Sequence, residues 1–264
     1  MPLAMQHAPD IPYAAVAVRR VEPAQDGADG AVAEGLELDL QIGRWPISKV
    51  AADERARWSE PTDSWSKGAV QLADKLARLA DHGGADVVVL TGDIWARGVL
   101  VHALPKRLRE RVIGVEADAR EPGAERALLE DGLEELFRGR LAARDQVRLD
   151  RFLKQRASDR SSVEGMIAVV AALGRGQAQA LLVNPPVDLP VQLWVGAAPQ
   201  QIGFSAAELQ SFGVEDSWAE PVDAALIRAA AGTGAELIVV PTERLEMQDG
   251  LGVLLRFSEA GTQT

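Results

Sequence analysis

Ala85-Asp86-Val87-Val88-Val89-Leu90-Thr91-Gly92-Asp93 is a short apolar run closed by Gly-Asp and set between two segments of helical period. A run of this length and composition reads as a strand buried on both faces. Before it, Val70, Leu72, Ala73, Leu76, Leu79 and Ala80 recur at three- and four-residue spacing, and His82-Gly83-Gly84 stops that helix where a left-handed cap residue belongs. After it, residues 94–108 are helix-like with an interruption at Pro105. Helix, buried strand, turn and helix make the centre of an α/β layer, and ligands of such layers bind at the C-terminal ends of the strands.

Outward from this stretch, 264 residues with 47% hydrophobic and 25% charged side chains suit two ordinary globular domains. No apolar run approaches the ~20 residues of a bilayer span, and the N-terminus lacks the basic and apolar regions of a secretory signal. The expectation is a cytoplasmic protein without membrane contact. The chain has no cysteine, which excludes thiolate catalysis, disulfides and cysteine-ligated metals. Its three histidines, His7, His82 and His102, show no metal-ligand spacing, and no cofactor is expected.

The net charge of −11 is uneven. Up to Arg160 there are 24 basic and 27 acidic residues, net −3; from Ser161 onward four arginines oppose 12 acidic residues, net −8. An acidic C-terminal part repels phosphate backbones, so contact with nucleic acid is expected from the first part.

Residues 1–12 read as a mobile leader, 13–160 as a first domain and 161–264 as a second. Tyr13–Val21 reads as a strand, residues 22–35 as an exposed hairpin loop, and Leu36, Leu38 and Leu40 alternate with Glu37, Asp39 and Gln41 as a half-buried antiparallel strand. Gly43–Ser66 is read as a long irregular stretch, in part helical, of the kind that is often functional. Its Trp58 and Trp65, with Lys49, Arg55, Arg57 and Lys67, are candidates for stacking on bases and neutralising phosphates, against the plainer explanation of a loop pinned by buried indoles. Arg111–Val115 offers another strand. A helix is expected from Pro122 to about Ala157, with Gly132 and Gly139 as weak points. Beside its apolar stripe, Arg140, Arg144, Arg148 and Arg151 are spaced to project from one face, as a phosphate-binding surface or as a solvated face balanced by Glu134, Glu135, Asp145 and Asp150.

Ser158–Ser162 is polar, and Ser161 with Glu164 has the spacing of a capping box, which places the domain boundary there. Beyond it, helices at 166–173 and 221–231, a helix capped by Ser205, and strands at 181–183, 191–195, 236–240 and 252–257 alternate as in a compact α/β/α sandwich. Gly174-Arg175-Gly176-Gln177 is explained by a helix cap, and Gly203-Phe204-Ser205 lacks the second glycine of a nucleophile elbow. Asp39 and Asp93, with Asp10 or Glu116, could mimic a magnesium-dependent nuclease cluster, although strand alternation and turn chemistry already explain the two aspartates.

The order strand, loop, strand, long loop, helix, then ADVVVLTGDIWARGVLVHALP resembles the central domain of archaeo-eukaryotic class I release factors and Pelota. The segments VEGMIAVVAALGRGQAQALLVNPP, PVDAALIRAAAGTGAELIVVP and GLGVLLRF resemble their C-terminal domain. The likeness is to the bacterial, largely actinobacterial branch that includes the hibernation factor Balon. It implies an RNase H-like α/β domain followed by an α/β/α sandwich similar to ribosomal kink-turn-binding proteins. It further implies ribosomal RNA as partner of residues 13–160 and a translational GTPase such as elongation factor Tu as partner of residues 161–264. Full-length relatives begin with a further N-terminal domain, while this chain starts at the central one. Where terminating relatives carry Gly-Gly-Gln, residues 47–65 have no such tripeptide. The expectation is therefore a ribosome-associated factor of hibernation or rescue type that occupies a tRNA-like site without releasing peptide. The alternatives are a peptidyl-tRNA or RNA hydrolase using the carboxylates above, and a protein-interaction module without ribosome binding.

Overall fold

Strand β4, Val87–Gly92, is buried from Val87 to Thr91 and lies inside a five-stranded sheet. In the computed structural model the described residues are 9–21, 35–46, 55–115, 133, 135–160, 163–186, 189 and 191–257. They fall into a central unit, Asp10–Arg138, and a C-terminal unit that holds Gly139–Thr264.

The central sheet is built from β1 (Ile11–Val21), β2 (Gly35–Trp45), β3 (Arg55–Pro61), β4 and β5 (Val112–Val115) in the order β3-β2-β1-β4-β5. The first three strands are antiparallel, with Val16 opposite Leu40 and Leu38 opposite Trp58; β1, β4 and β5 run parallel, with Val16 beside Leu90 and Val88 beside Val112. This is the RNase H-like order that the resemblance implies. Ile11 and Pro12, expected in the leader, begin β1, and the stretch expected to be irregular from Gly43 holds the end of β2 and all of β3.

One face of the sheet packs Val16, Val18, Leu36, Leu38, Leu40, Val88 and Leu90 against α1 (Trp65–Gly83) and α2 (Ile94–Ala103). Alternation in the strands and the three-to-four spacing of Leu72, Ala73, Leu76 and Ala80 bring these side chains to one plane. Val70, counted with that stripe, is instead 52% exposed. On the opposite face the Tyr13 and Trp45 rings lie 5.7 and 5.8 Å from that of Phe137. Helix α1 ends as expected, with Gly84 at φ 64° and the Ala85 amide donating to the Ala80 carbonyl. After α2, Pro105 starts a single turn, α3 (Lys106–Arg109).

Gly92 is required where β4 leaves the sheet. Its φ is +97°, and a Cβ there would stand 1.9 Å from the Val18 carbonyl oxygen. The Asp93 amide donates to that same oxygen, and the Asp93 carboxylate accepts from the Ala96 amide at 2.8 Å, which starts α2.

The helix expected from Pro122 to Ala157 is interrupted. Helical residues 135–137 give way to Gly139 at φ +69°, and a new helix, α4, runs Ala143–Ser158. Residues 116–132 and 134 lie outside the described set.

The C-terminal unit continues with α5 (Met166–Gly174), β6 (Ala178–Val183), β7 (Gln192–Gly196), β8 (Ile202–Gly203), α6 (Ala206–Ser211), β9 (Ser217–Pro221), α7 (Val222–Thr233), β10 (Glu236–Val239) and β11 (Leu251–Leu255). The alternation of helices and strands expected from the sequence is present, and the strands form two sheets, β10-β6-β11 and β8-β7-β9. The cap read at Gly174 falls at Gly176, φ +65°, with the Gln177 amide donating to the Ala172 carbonyl. Ser205 caps α6 as expected, its hydroxyl accepting from the Glu208 amide while Glu208 accepts from the Phe204 amide.

The boundary differs from the one expected at Ser158–Ser162. Leu141, Leu149 and Phe152 are buried in the same core as Val169, Leu173, Leu181 and Val253. The Gln155 amide pairs with both backbone groups of Leu255, donating to its carbonyl at 3.1 Å and accepting from its amide at 3.0 Å, and so completes the edge of β11. Helix α4 is thus part of the C-terminal unit, and the chain divides at Arg138–Gly139.

Candidate nucleic-acid interface

Leu149 and Phe152, three residues apart, fix the face of α4 that enters the core. Arg144, Arg148 and Arg151 follow at spacings of four and three and share a different face. Arg140, the fourth member of the expected stripe, is exposed but precedes the helix. Along α4, Arg144, Arg148, Arg151, Lys154 and Arg156 oppose only Asp145 and Asp150, a surplus of three positive charges.

The stripe is not uniform. Arg148 is 16% exposed and pairs with Glu236 of β10, with Asp145 Oδ1 at 3.6 Å. Arg144 is 59% exposed and reaches Asp145 at 3.2 Å and Glu236 at 3.8 Å. Burial pushes the Asp145 carboxyl above the usual carboxylate range, and the guanidiniums of Arg144 and Arg148 offset this only in part. Arg148 therefore fastens α4 to β10, whereas Arg140 and Arg151 are exposed and form no ion pair among the described residues. The charge available to a ligand lies at those two positions and at Lys154.

The second group of candidates separates. Trp65 is fully buried as the first residue of α1, its indole N–H donating to the Ala96 carbonyl at 3.1 Å, so it belongs to the core and cannot stack on a base. Lys67 is exposed on the same helix. Arg55, Arg57 and Trp58 sit on β3, an edge strand, opposite Gln41, Asp39 and Leu38. Lys49 lies outside the described residues.

The carboxylates do not converge. Asp10 is held by both Nε and Nη2 of Arg44, at 2.6 and 2.8 Å, and Asp93 caps α2 while accepting from Arg20 at 3.1 Å. Asp39 is half-buried on β2, and Glu116 lies outside the described residues. Among the described residues, no group of three His, Cys, Asp or Glu side chains could hold a metal ion.

A cluster that sequence reasoning missed is centred on Glu164, whose side chain is fully buried. It accepts from Arg156, from Arg160 at 2.8 and 2.9 Å, and from the Gln248 amide at 2.7 Å. Burial pushes its carboxyl up, but the hydrogen bonds of Arg160, Gln248 and Arg156 together outweigh that, and it stays below the usual range. Glu164 precedes α5 rather than lying in its first turn, and Ser161, its expected capping-box partner, is outside the described residues. The first amide of α5, at Met166, is instead capped by Asp249 at 3.0 Å. Arginines at 156 and 160, with a glutamate four residues on, were the available signal.

Comparison with known proteins gives a match of the model for bacterial archaeo-eukaryotic release factor family 2 to residues 12–158, more than half of the chain and running through α4. Two Mycobacterium tuberculosis proteins, from strains CDC 1551 and H37Rv and both named as uncharacterized, are 29% identical to it over 192 residues. That alignment covers 71% of this chain and 50% of each relative, so the chain spans about half the length of the curated relatives it matches. Among solved structures, Archaeoglobus fulgidus Pelota aligns at 15% identity and a TM-score of 0.46, covering 96% of this chain and 66% of its own. Saccharomyces cerevisiae Dom34 aligns at 11% identity and a TM-score of 0.43, covering 96% and 65%.

Proposed function

We propose, because this chain belongs to bacterial archaeo-eukaryotic release factor family 2, that it is a ribosome-associated translation factor acting by occupancy rather than by bond-breaking chemistry. The observation that carries the reading is the family match across the whole central sheet and α4. The surplus of positive charge on α4, in a chain of net −11, supports it by supplying a surface with affinity for phosphate.

Ribosomal RNA is the partner of the exposed cations at Arg140, Arg151 and Lys154. Arg144 and Arg148 contribute to the field but are held by Asp145 and Glu236. A translational GTPase of the elongation factor Tu type is the protein partner, engaged by the acidic remainder of residues 161–264. Occupancy of a tRNA-like site in hibernation or rescue, without peptide release, is the cellular role. Ser205 serves as a helix cap and His102 bonds the Gly98 carbonyl, so neither is set in a nucleophile–base pair.

Cosedimentation of the full chain with vacant 70S ribosomes tests this. Pelleting should be strong at about 50 mM salt and fall steeply by about 200 mM, as expected when several phosphates are neutralised. Absence of pelleting at low salt, or pelleting indifferent to salt, overturns the reading.

A further inference from the structure

Where β6 and β10 begin, the C-terminal unit has an open depression lined by Arg151, Gln179, Gly234, Glu236 and Arg256. The two arginines come from different elements, and they differ in how firmly they are held. Arg151 projects from α4 and is exposed. Arg256 follows β11, and its guanidinium is fixed by backbone carbonyls: Nε donates to Ala178 at 3.0 Å and Nη2 to Thr233 at 2.7 Å. The Thr233 carbonyl belongs to the last turn of α7, so Arg256 caps the negative end of that helix. No carboxylate among the described residues pairs with it.

Glu236 is the one carboxylate in the lining, and Arg148 holds its Oε1 while Arg144 stands 3.8 Å from its Oε2. Counting Arg144, Arg148, Arg151 and Arg256 against Asp145 and Glu236 leaves the locality at +2, within a chain of net −11. The Gln179 amide is only half-buried and has no hydrogen bond among the described residues, and Gly234 presents no side chain.

We propose that this depression seats one phosphodiester of a single-stranded or looped RNA, with Arg151 and Arg256 as charged donors and the Gln179 amide as a neutral one. Arg151 can offer a guanidinium fork and Arg256, with Nε and Nη2 committed to carbonyls, its Nη1 and its charge, and an open site lets the chain leave on both sides. Glu236 and the carbonyl end of α7 oppose a free phosphate dianion more strongly than a singly charged diester. The proposal rests on the ribosomal reading and adds to it two residues, Gln179 and Arg256, that the arginine stripe does not contain.

The test is anisotropy of a short labelled single-stranded RNA with the full chain, titrated across salt, for the wild type, Arg151→Ala, Gln179→Ala and Arg175→Ala. Arg175 is an exposed arginine at the end of α5 and serves as the control. Arg151→Ala should weaken binding roughly five- to tenfold and flatten the log–log salt slope by about 0.7. Gln179→Ala should weaken binding without changing the slope, and Arg175→Ala should do neither. Equal effects of Arg151→Ala and Arg175→Ala, or no RNA binding by the wild type, overturn the seat. Displacement of the RNA by inorganic phosphate at concentrations where equal ionic strength of chloride leaves it bound assigns the site to free anion and overturns the diester. Ribosome pelleting read in parallel separates the two claims: wild-type pelleting with Arg151-independent RNA binding sinks only the seat, and Arg151-dependent RNA binding without pelleting sinks only the ribosomal reading.

Discussion

Replacing Glu164 with glutamine removes the charge on which Arg156, Arg160 and the Gln248 amide converge. The glutamine carbonyl can keep the Gln248 contact, but its NH2 group then faces guanidinium donors. Arg156 is only 22% exposed and loses its sole ion pair among the described residues, a change worth roughly 2–3 kcal/mol, below the ~3–5 kcal/mol of a fully buried pair. Arg160 is 60% exposed, and water replaces its partner. For a unit of this size the loss lowers the melting temperature by roughly 6–12 °C. The Glu164 carboxyl lies below its ordinary range in the folded chain, so its contribution is present above the unfolded value and vanishes as pH falls through the folded one. The stability gap between wild type and Glu164→Gln should therefore be widest near neutrality and close on acidification. Urea unfolding followed by hydrogen exchange measures this for the C-terminal unit alone, which matters because two units need not unfold together. A gap below about 0.5 kcal/mol at neutral pH, or one that persists in acid, refutes the reasoning.

Gly92→Ala should cost more than about 3 kcal/mol or prevent folding of the central unit, since it combines a forbidden φ with a Cβ 1.9 Å from the Val18 oxygen; recovery of wild-type amide protection in β1 and β4 would contradict this. Asn184→Leu should destabilise by roughly 2–4 kcal/mol, because the buried amide donates to the Val240 and Leu245 carbonyls and accepts from the Met247 amide; the readout is exchange protection across 240–250. Gln155→Leu should cost about 1–2 kcal/mol by stripping both partners from the Leu255 backbone, and exchange at the Leu255 amide should rise with it.

What the sequence made legible was local. The β4 run, the leucine alternation of β2 and the Ser205 cap are each encoded within a few residues, and each is found as read. Trp65 was legible too, since Trp65, Ala69, Leu72, Ala73 and Leu76 continue the α1 stripe toward its start, but the polar residues before it suggested a loop. Long-range choices were not encoded that way. The periodicity of residues 143–158 shows that Leu149 and Phe152 face a core without showing which core, and that is decided by contacts with residues about 100 positions later, such as Gln155 with Leu255. The same holds for the arginine stripe, where only the fold shows that Arg148 meets Glu236 while Arg151 stays exposed.

Moving the boundary by some twenty residues changes the electrostatic argument. Divided at Arg160, the chain reads as a near-neutral first part and an acidic second one. Divided where the structure divides it, residues 10–138 hold 17 basic and 24 acidic side chains, net −7, and residues 139–264 hold 11 and 15, net −4. The contrast on which a first domain facing RNA was expected is thus reversed in sign. Net charge per unit then has little bearing on orientation, because both units repel phosphate at long range and the Debye length of about 8 Å at physiological salt leaves local clusters to decide. The cluster that qualifies, α4 with the Arg256 end of β11, is in the C-terminal unit. On the proposed reading, RNA contact and an acidic protein-facing surface would coexist on that one unit, and Arg151→Ala should weaken the first without altering the second.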